Sequence, residues 1–189
     1  MYLCHHGSII KISNVIFFKK QTCFFKEFNY SRGWITKGSG DRGVDFVGDI
    51  SDLSQFEDNS IEEIYASHVF EHIKYIDTKR TMLGIYRVLG KGGKFYISVP
   101  DMDVLFKKFT DKNSDTRIKI DVIRMIFGGQ TDQYDFHYFG WDFLLLSGLL
   151  KNVGFKDIEK VKSFSIFQND TSDYAPYGEP ISLNLIAKK

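Results

Sequence analysis

The sequence predicts a single α/β domain with a mostly parallel sheet and one antiparallel strand at its C-terminal end. Three observations carry this. From residue 44 onward, strand-like and helix-like segments alternate. One of them, "KFYISVP", is apolar almost throughout, as a strand covered on both faces must be. The last two strand-like segments are joined by a polar loop without a helix, a connection that favours an antiparallel pair. With 189 residues, the chain is long enough for one substantial core.

Each element follows from its residues. "VDFVGD" predicts a short buried strand ending at Asp49, and "IEEIYAS" a second built on Ile61, Ile64 and Tyr65. In "DTKRTMLGIYRVLG" the residues Met82, Ile85, Tyr86 and Leu89 make a helical stripe, with Asp77 as its expected cap and Gly90 as its end. "DMDVLFKKF", "TRIKIDVIRMIFGG" and "WDFLLLSGLLKNVGF" predict three more helices, the last stopping at Gly154. "DIEKVKSFSIF" and "ISLNLIAKK" are the closing strands, on either side of "QNDTSDYAPYGEP". Ligands of such sheets sit beyond the carboxyl ends of the parallel strands. Those ends put Asp49 and Ile50, Ser67 and His68, and Pro100 and Asp101 on one rim.

Composition narrows the function. The chain is 43% hydrophobic and 26% charged, with 25 basic and 24 acidic residues and a formal net charge of +1. No field of one sign is available to hold nucleic acid, and no local basic patch replaces it. The apolar runs near the N-terminus are broken by His5, His6 and Lys11, which fits neither a signal peptide nor a membrane span. Cys4 and Cys23 form no metal or redox motif and read as reduced thiols of a cytoplasmic protein. The oligomeric state is not legible.

Two short motifs need their context. "GSGDRG" matches Gly-x-Gly-x-x-Gly by letter, but it leads into a strand and opens no helix, so it reads as a turn. "HVFEH" contains His-x-x-Glu-His, the order found in one class of zinc hydrolases. Such an enzyme needs a further ligand on a helical scaffold. The stretch instead reads as the loop after a strand, and no metal is expected.

An ordered series is more specific than either motif. "VDFVGDISDLSQFEDNSIEEIYASHVFEHI", followed by "IYRVLGKGGKFYISVPD", resembles the later motifs of class I S-adenosylmethionine (SAM)-dependent methyltransferases of the type 11 group. "MIFGGQTDQYDFHYFG", "LLKNVGF" and "ISLNLIAKK" are similar to a subgroup linked to surface-polysaccharide genes. The resemblance spans about residues 33–189 and implies a Rossmann-like three-layer sandwich. It also implies SAM as cofactor and a small-molecule or glycan-type methyl acceptor.

By that resemblance Asp49 accepts the adenine amino group, Ile50 packs on the ring, and Ser67 and His68 lie near the methionine part. His72 becomes a pocket residue. Asp101 and Asp132 are further candidates for the acceptor's pocket. A catalytic base, where the acceptor needs one, is expected from "DQYDFHYFG": His137 can titrate near neutral pH, and Asp135 could orient it. Residues 1–33 depart from the family. Where a glycine-rich loop is expected, "LCHHGSIIKIS" offers only Gly7, and Asp41 is the nearest carboxylate to the place of the ribose-binding acid. A non-catalytic relative that kept the fold is the alternative this departure raises.

Overall fold

The computed structural model describes residues 50–166 and 171–189, together with the strand Ile16–Phe18 as backbone. Asp49 and its expected strand, Gly7, Asp41, Cys4 and Cys23 lie outside the described residues. The elements, in chain order, begin with β1 (Ile16–Phe18), β2 (Ile61–Ser67), α1 (Tyr75–Val88) and β3 (Leu89–Pro100). They continue with α2 (Met102–Thr110), α3 (Thr116–Phe127), α4 (Phe143–Val153), β4 (Lys156–Val161) and β5 (Ser182–Lys188).

The strands form one sheet in the order β1-β2-β3-β5-β4. Its mixed character corrects the expectation of a mostly parallel sheet. Among the described strands only β2 and β3 pair in parallel, while β1–β2, β3–β5 and β5–β4 are antiparallel. Among the described residues of the connection from β4 to β5 there is no α-helix, and β5 reverses against β4. By entering between β3 and β4, it makes both of its interfaces antiparallel.

Strand alternation sorts the side chains by face. Ile64 and Ala66 of β2, Phe95, Ile97 and Val99 of β3, and Leu183, Leu185 and Ala187 of β5 enter the main core. There they meet Met82, Ile85 and Val88 of α1 and Leu146, Leu150 and Val153 of α4. Tyr65 and Tyr96 form a separate cluster with Phe164 and Ile186. Leu105, Val122 and Ile181 make a third, which joins α2 and α3. Among the described residues, the helices of the main core are α1 and α4. The third layer of the expected sandwich is not among the described elements.

Two helix ends refine the reading. α1 begins at Tyr75, and its N-cap Lys74 gives no side-chain hydrogen bond. Asp77 therefore lies inside the first turn, where it pairs with Arg80 at 3.0 Å. α4 ends as the sequence predicts, with Gly154 at φ 118, a left-handed position that glycine adopts without strain.

Candidate functional site

The parallel pair β2–β3 brings Ser67 beside Ser98, and the His68 amide donates to the Ser98 carbonyl at 2.8 Å. At His68 the backbone turns out of the strand with φ 53, and a 3-10 turn follows over Phe70–His72. Onto this turn folds the loop between α3 and α4. The amides of Tyr138 and Phe139 both donate to the Glu71 carbonyl, at 2.7 and 3.3 Å. The His72 Nδ1 pairs with the Phe136 carbonyl at 3.1 Å. The loop is shaped at Gly128, whose φ is 84. A Cβ there would lie 2.2 Å from the Asp135 carbonyl oxygen.

At the junction stands a cluster that the sequence-based site assignment incompletely foresaw. Glu71 is 1% exposed and His72 is 6% exposed. The rings of His72 and His137 meet edge to face at 4.5 Å. His137 Nδ1 pairs with the Met125 carbonyl at 2.9 Å. His68 borders the cluster: its Nδ1 approaches Glu71 Oε1 to 3.2 Å as an ion-pair contact, and its Nε2 pairs with Ser182 Oγ at 2.9 Å. Neither Glu71 oxygen receives a hydrogen bond of ordinary geometry, and neither does His72 Nε2.

The electrostatics follow from these neighbours. Burial alone raises the Glu71 carboxyl, but the His68 contact and the charges of His68, His72 and His137 outweigh it and hold the group at about 2. His137 is displaced downward. Burial disfavours its imidazolium more than the nearby Glu71 carboxylate favours it.

The remaining expected residues have these places. Ser67 Oγ hydrogen-bonds Thr171 Oγ1 at 2.7 Å. Ile50 is 1% exposed and sits in the main core. Asp101 is the N-cap of α2: its Oδ1 accepts from the Asp103 amide at 3.1 Å and its Oδ2 from Lys160 Nζ at 3.1 Å. Asp132 closes a turn by accepting from the Tyr134 amide at 2.8 Å. Asp135 accepts from Thr131 Oγ1 at 2.8 Å and from the Thr131 amide at 3.3 Å. It shapes the loop that carries His137, while the ring of His137 is oriented by the Met125 carbonyl. The structure thus brings His68, His72 and His137 together around Glu71 and leaves Asp101 and Asp132 in structural turns. Glu71 was the residue missed, although its letter stands inside "HVFEH".

Comparison with known proteins bears on the same segment. Residues 26–97 match a family described as a methyltransferase domain, a span that includes β2, Glu71, His72 and α1 but not His137. No curated protein matches the chain. Among solved structures it is similar to a SAM-dependent methyltransferase from Archaeoglobus fulgidus, with 14% identity and a TM-score of 0.46 over 74% of this chain and 64% of that one. It is also similar to the 1,6-didemethyltoxoflavin-N1-methyltransferase of Burkholderia thailandensis, solved with S-adenosylhomocysteine. That match has 16% identity and a TM-score of 0.45, over 75% of this chain and 48% of that one. A protein from Bordetella parapertussis described as a possible exported protein gives a TM-score of 0.50 at 11% identity, over 75% of this chain and 42% of that one. This last is a likeness of fold. The chain spans less than two thirds of the length of each of these three.

Proposed function

We propose that the chain is a SAM-dependent methyltransferase acting in the cytoplasm on a small molecule or a glycan precursor. The observation that carries this is the methyltransferase-domain match over residues 26–97. The side-by-side ends of β2 and β3, where such sheets receive their ligands, support it. The match points to SAM as the cofactor. On this reading Asp49 holds the adenine beside Ile50, Ser67 and His68 flank the methionine part, and Gly7 and Asp41 serve the remaining contacts.

When bound, SAM supplies a methyl group already activated on a sulfonium. The work left to the chain is to position the acceptor, exclude water and, for an acceptor that carries a proton, to remove it. His137 is the candidate base, because its Nδ1 is committed to the Met125 carbonyl and its Nε2 is left to receive a proton. Asp135 supports it by fixing the loop, and His72, Asp101 and Asp132 border the acceptor's side.

Titration calorimetry with SAM and with S-adenosylhomocysteine tests the reading. Both are expected to bind. Asp49→Ala removes a charged hydrogen-bond partner and should weaken SAM by about tenfold or more. No heat from either ligand would sink the assignment. A second reading, a methyltransferase-fold binding protein without catalysis, is favoured by the single Gly7 in the stretch where a glycine-rich loop is expected. Release of S-adenosylhomocysteine from SAM in the presence of a pool of cellular acceptors would rule it out.

A further inference from the structure

We propose that Glu71, His72 and His137 form a binding site for one divalent first-row transition-metal ion of the zinc type. Each residue offers one ligand atom, and these atoms all lie within 4.8 Å of one another. Donors bound to one tetrahedral ion sit roughly 3–4 Å apart, so closing the site asks only for small side-chain rotations.

Three further features favour a cation over simple packing. The first concerns which nitrogens are available. His72 and His137 both commit Nδ1 to main-chain carbonyls, of Phe136 and Met125, which leaves the Nε2 lone pairs for a ligand. This is the second-shell arrangement that metal-binding histidines adopt. The second is an unmet demand. Three of the six buried side-chain atoms left without a hydrogen-bond partner among the described residues belong to Glu71 and His72. Apart from the His68 contact to Oε1, the Glu71 carboxylate is unanswered, and native proteins seldom bury a carboxylate with so little around it. One cation takes an oxygen of Glu71 and the Nε2 of His72 together with a nitrogen of His137. The third is the chemistry of the set: two imidazoles and a carboxylate suit zinc and its neighbours, whereas magnesium and calcium prefer oxygen ligands throughout.

This is not the hydrolase arrangement that "HVFEH" suggests by letter. There His68 and His72 would hold the ion, but His68 pairs with Glu71 and Ser182 instead. The third ligand comes from His137, which the loop after α3 delivers from outside the segment matched to methyltransferases. An ion bound here would take the lone pair through which His137 could act as a base, so the two roles exclude each other. Three protein ligands leave a coordination position open, and a hydroxyl bound there would be acidified.

The test uses full-length protein without an affinity tag, stripped by a chelator and titrated separately with Zn2+ and Mg2+. One Zn2+ per chain is expected at a Kd of about 1 µM or tighter, with no Mg2+ uptake. Glu71→Gln and His137→Gln should each weaken Zn2+ by about 100-fold or more. The double variant His5→Ala/His6→Ala removes the other histidine pair of the chain and should leave affinity within about twofold. Circular dichroism of each metal-free variant checks its fold. Should Glu71→Gln unfold, His137→Gln at the half-buried ring carries the test. Absence of stoichiometric Zn2+, or uptake that folded His137→Gln leaves unchanged, would overturn the proposal.

Discussion

Glu71 and Asp101 are both buried carboxylates, 1% and 2% exposed, and each follows one of the two parallel strands. Their surroundings differ completely. Asp101 caps α2 through Oδ1 and meets Lys160 through Oδ2, and its own amide donates to Ile181 at 2.8 Å. The fold answers its charge in full. Glu71 spends its main chain on the loop that crosses it, while its side chain faces only the three imidazoles. Equal burial therefore hides opposite roles. A carboxylate whose charge is met by cap and cation holds elements together, whereas one that faces only imidazoles is available to something outside the chain.

The largest expected effect comes from the backbone that supports the Glu71 side. Gly128→Ala would place a Cβ 2.2 Å from the Asp135 carbonyl oxygen at a left-handed φ of 84. A side chain there costs about 1–2 kcal/mol, and overpacking against backbone adds about 1–3 kcal/mol. The variant should lose about 3 kcal/mol in a urea melt, or refold the loop and withdraw His137 from His72. A wild-type melt with native contacts between the two rings would show that the loop tolerates the change and that the cluster is less constrained than Asp101.

Asp101→Ala comes next. It removes a helix cap, for which about 0.5–2 kcal/mol is usual, and a partner of Lys160. The lysine side chain is 51% exposed, so its loss of a partner is softened by water and adds little. About 2 kcal/mol in total is expected. Asp101→Asn keeps an oxygen for the Asp103 amide and gives up only the ion pair. About 1 kcal/mol or less should be lost, with the same melt as the check. If the two variants were equally damaging, the ion pair rather than the cap would be the stabilising element, and the description of Asp101 would need revision.

How much of this was legible depends on the range of the interaction that decides it. Strand β2 and the helices declared themselves by periodicity, and β3 by its apolar run from Lys94, although its first residues, Leu89 and Gly90, read as the end of α1. Gly154 announced the end of α4 because the left-handed cap is a local requirement. The direction of pairing was harder to read. Nothing in "ISLNLIAKK" states that it enters between β3 and β4 and so converts two interfaces. At α1, Asp77 offered a good cap by letter, but packing starts the helix at Tyr75 and gives Asp77 to Arg80. In the site, His72 and His137 could each be singled out as chemically able residues. Their ring contact, and the burial of Glu71 beneath them, arise only when the loop after α3 folds back on the turn after β2. Asp101 looked equally available in the sequence. Its cap is local, but its cation comes from β4, far along the chain.

The smallest expected change in stability is that of Glu71→Gln in metal-free protein at pH 8, and it tests the comparison most directly. Gln keeps the shape of Glu and removes the charge. In wild type the carboxyl is held at about 2 against the upward push of burial, through His68 and the charges of His68, His72 and His137. A folded-state value depressed in this way contributes stability above the unfolded carboxyl range, and that contribution is lost as pH falls through about 2. The contribution also needs imidazolium partners, and burial disfavours that form at His137. The buried carboxylate therefore carries a desolvation cost that the amide lacks, and Glu71→Gln should melt within about 1 kcal/mol of wild type or slightly above it. A urea melt at pH 8 decides the matter. A loss at pH 8 as large as that of Asp101→Ala would mean that Glu71 is satisfied by the fold after all, and the contrast between the two carboxylates would fail.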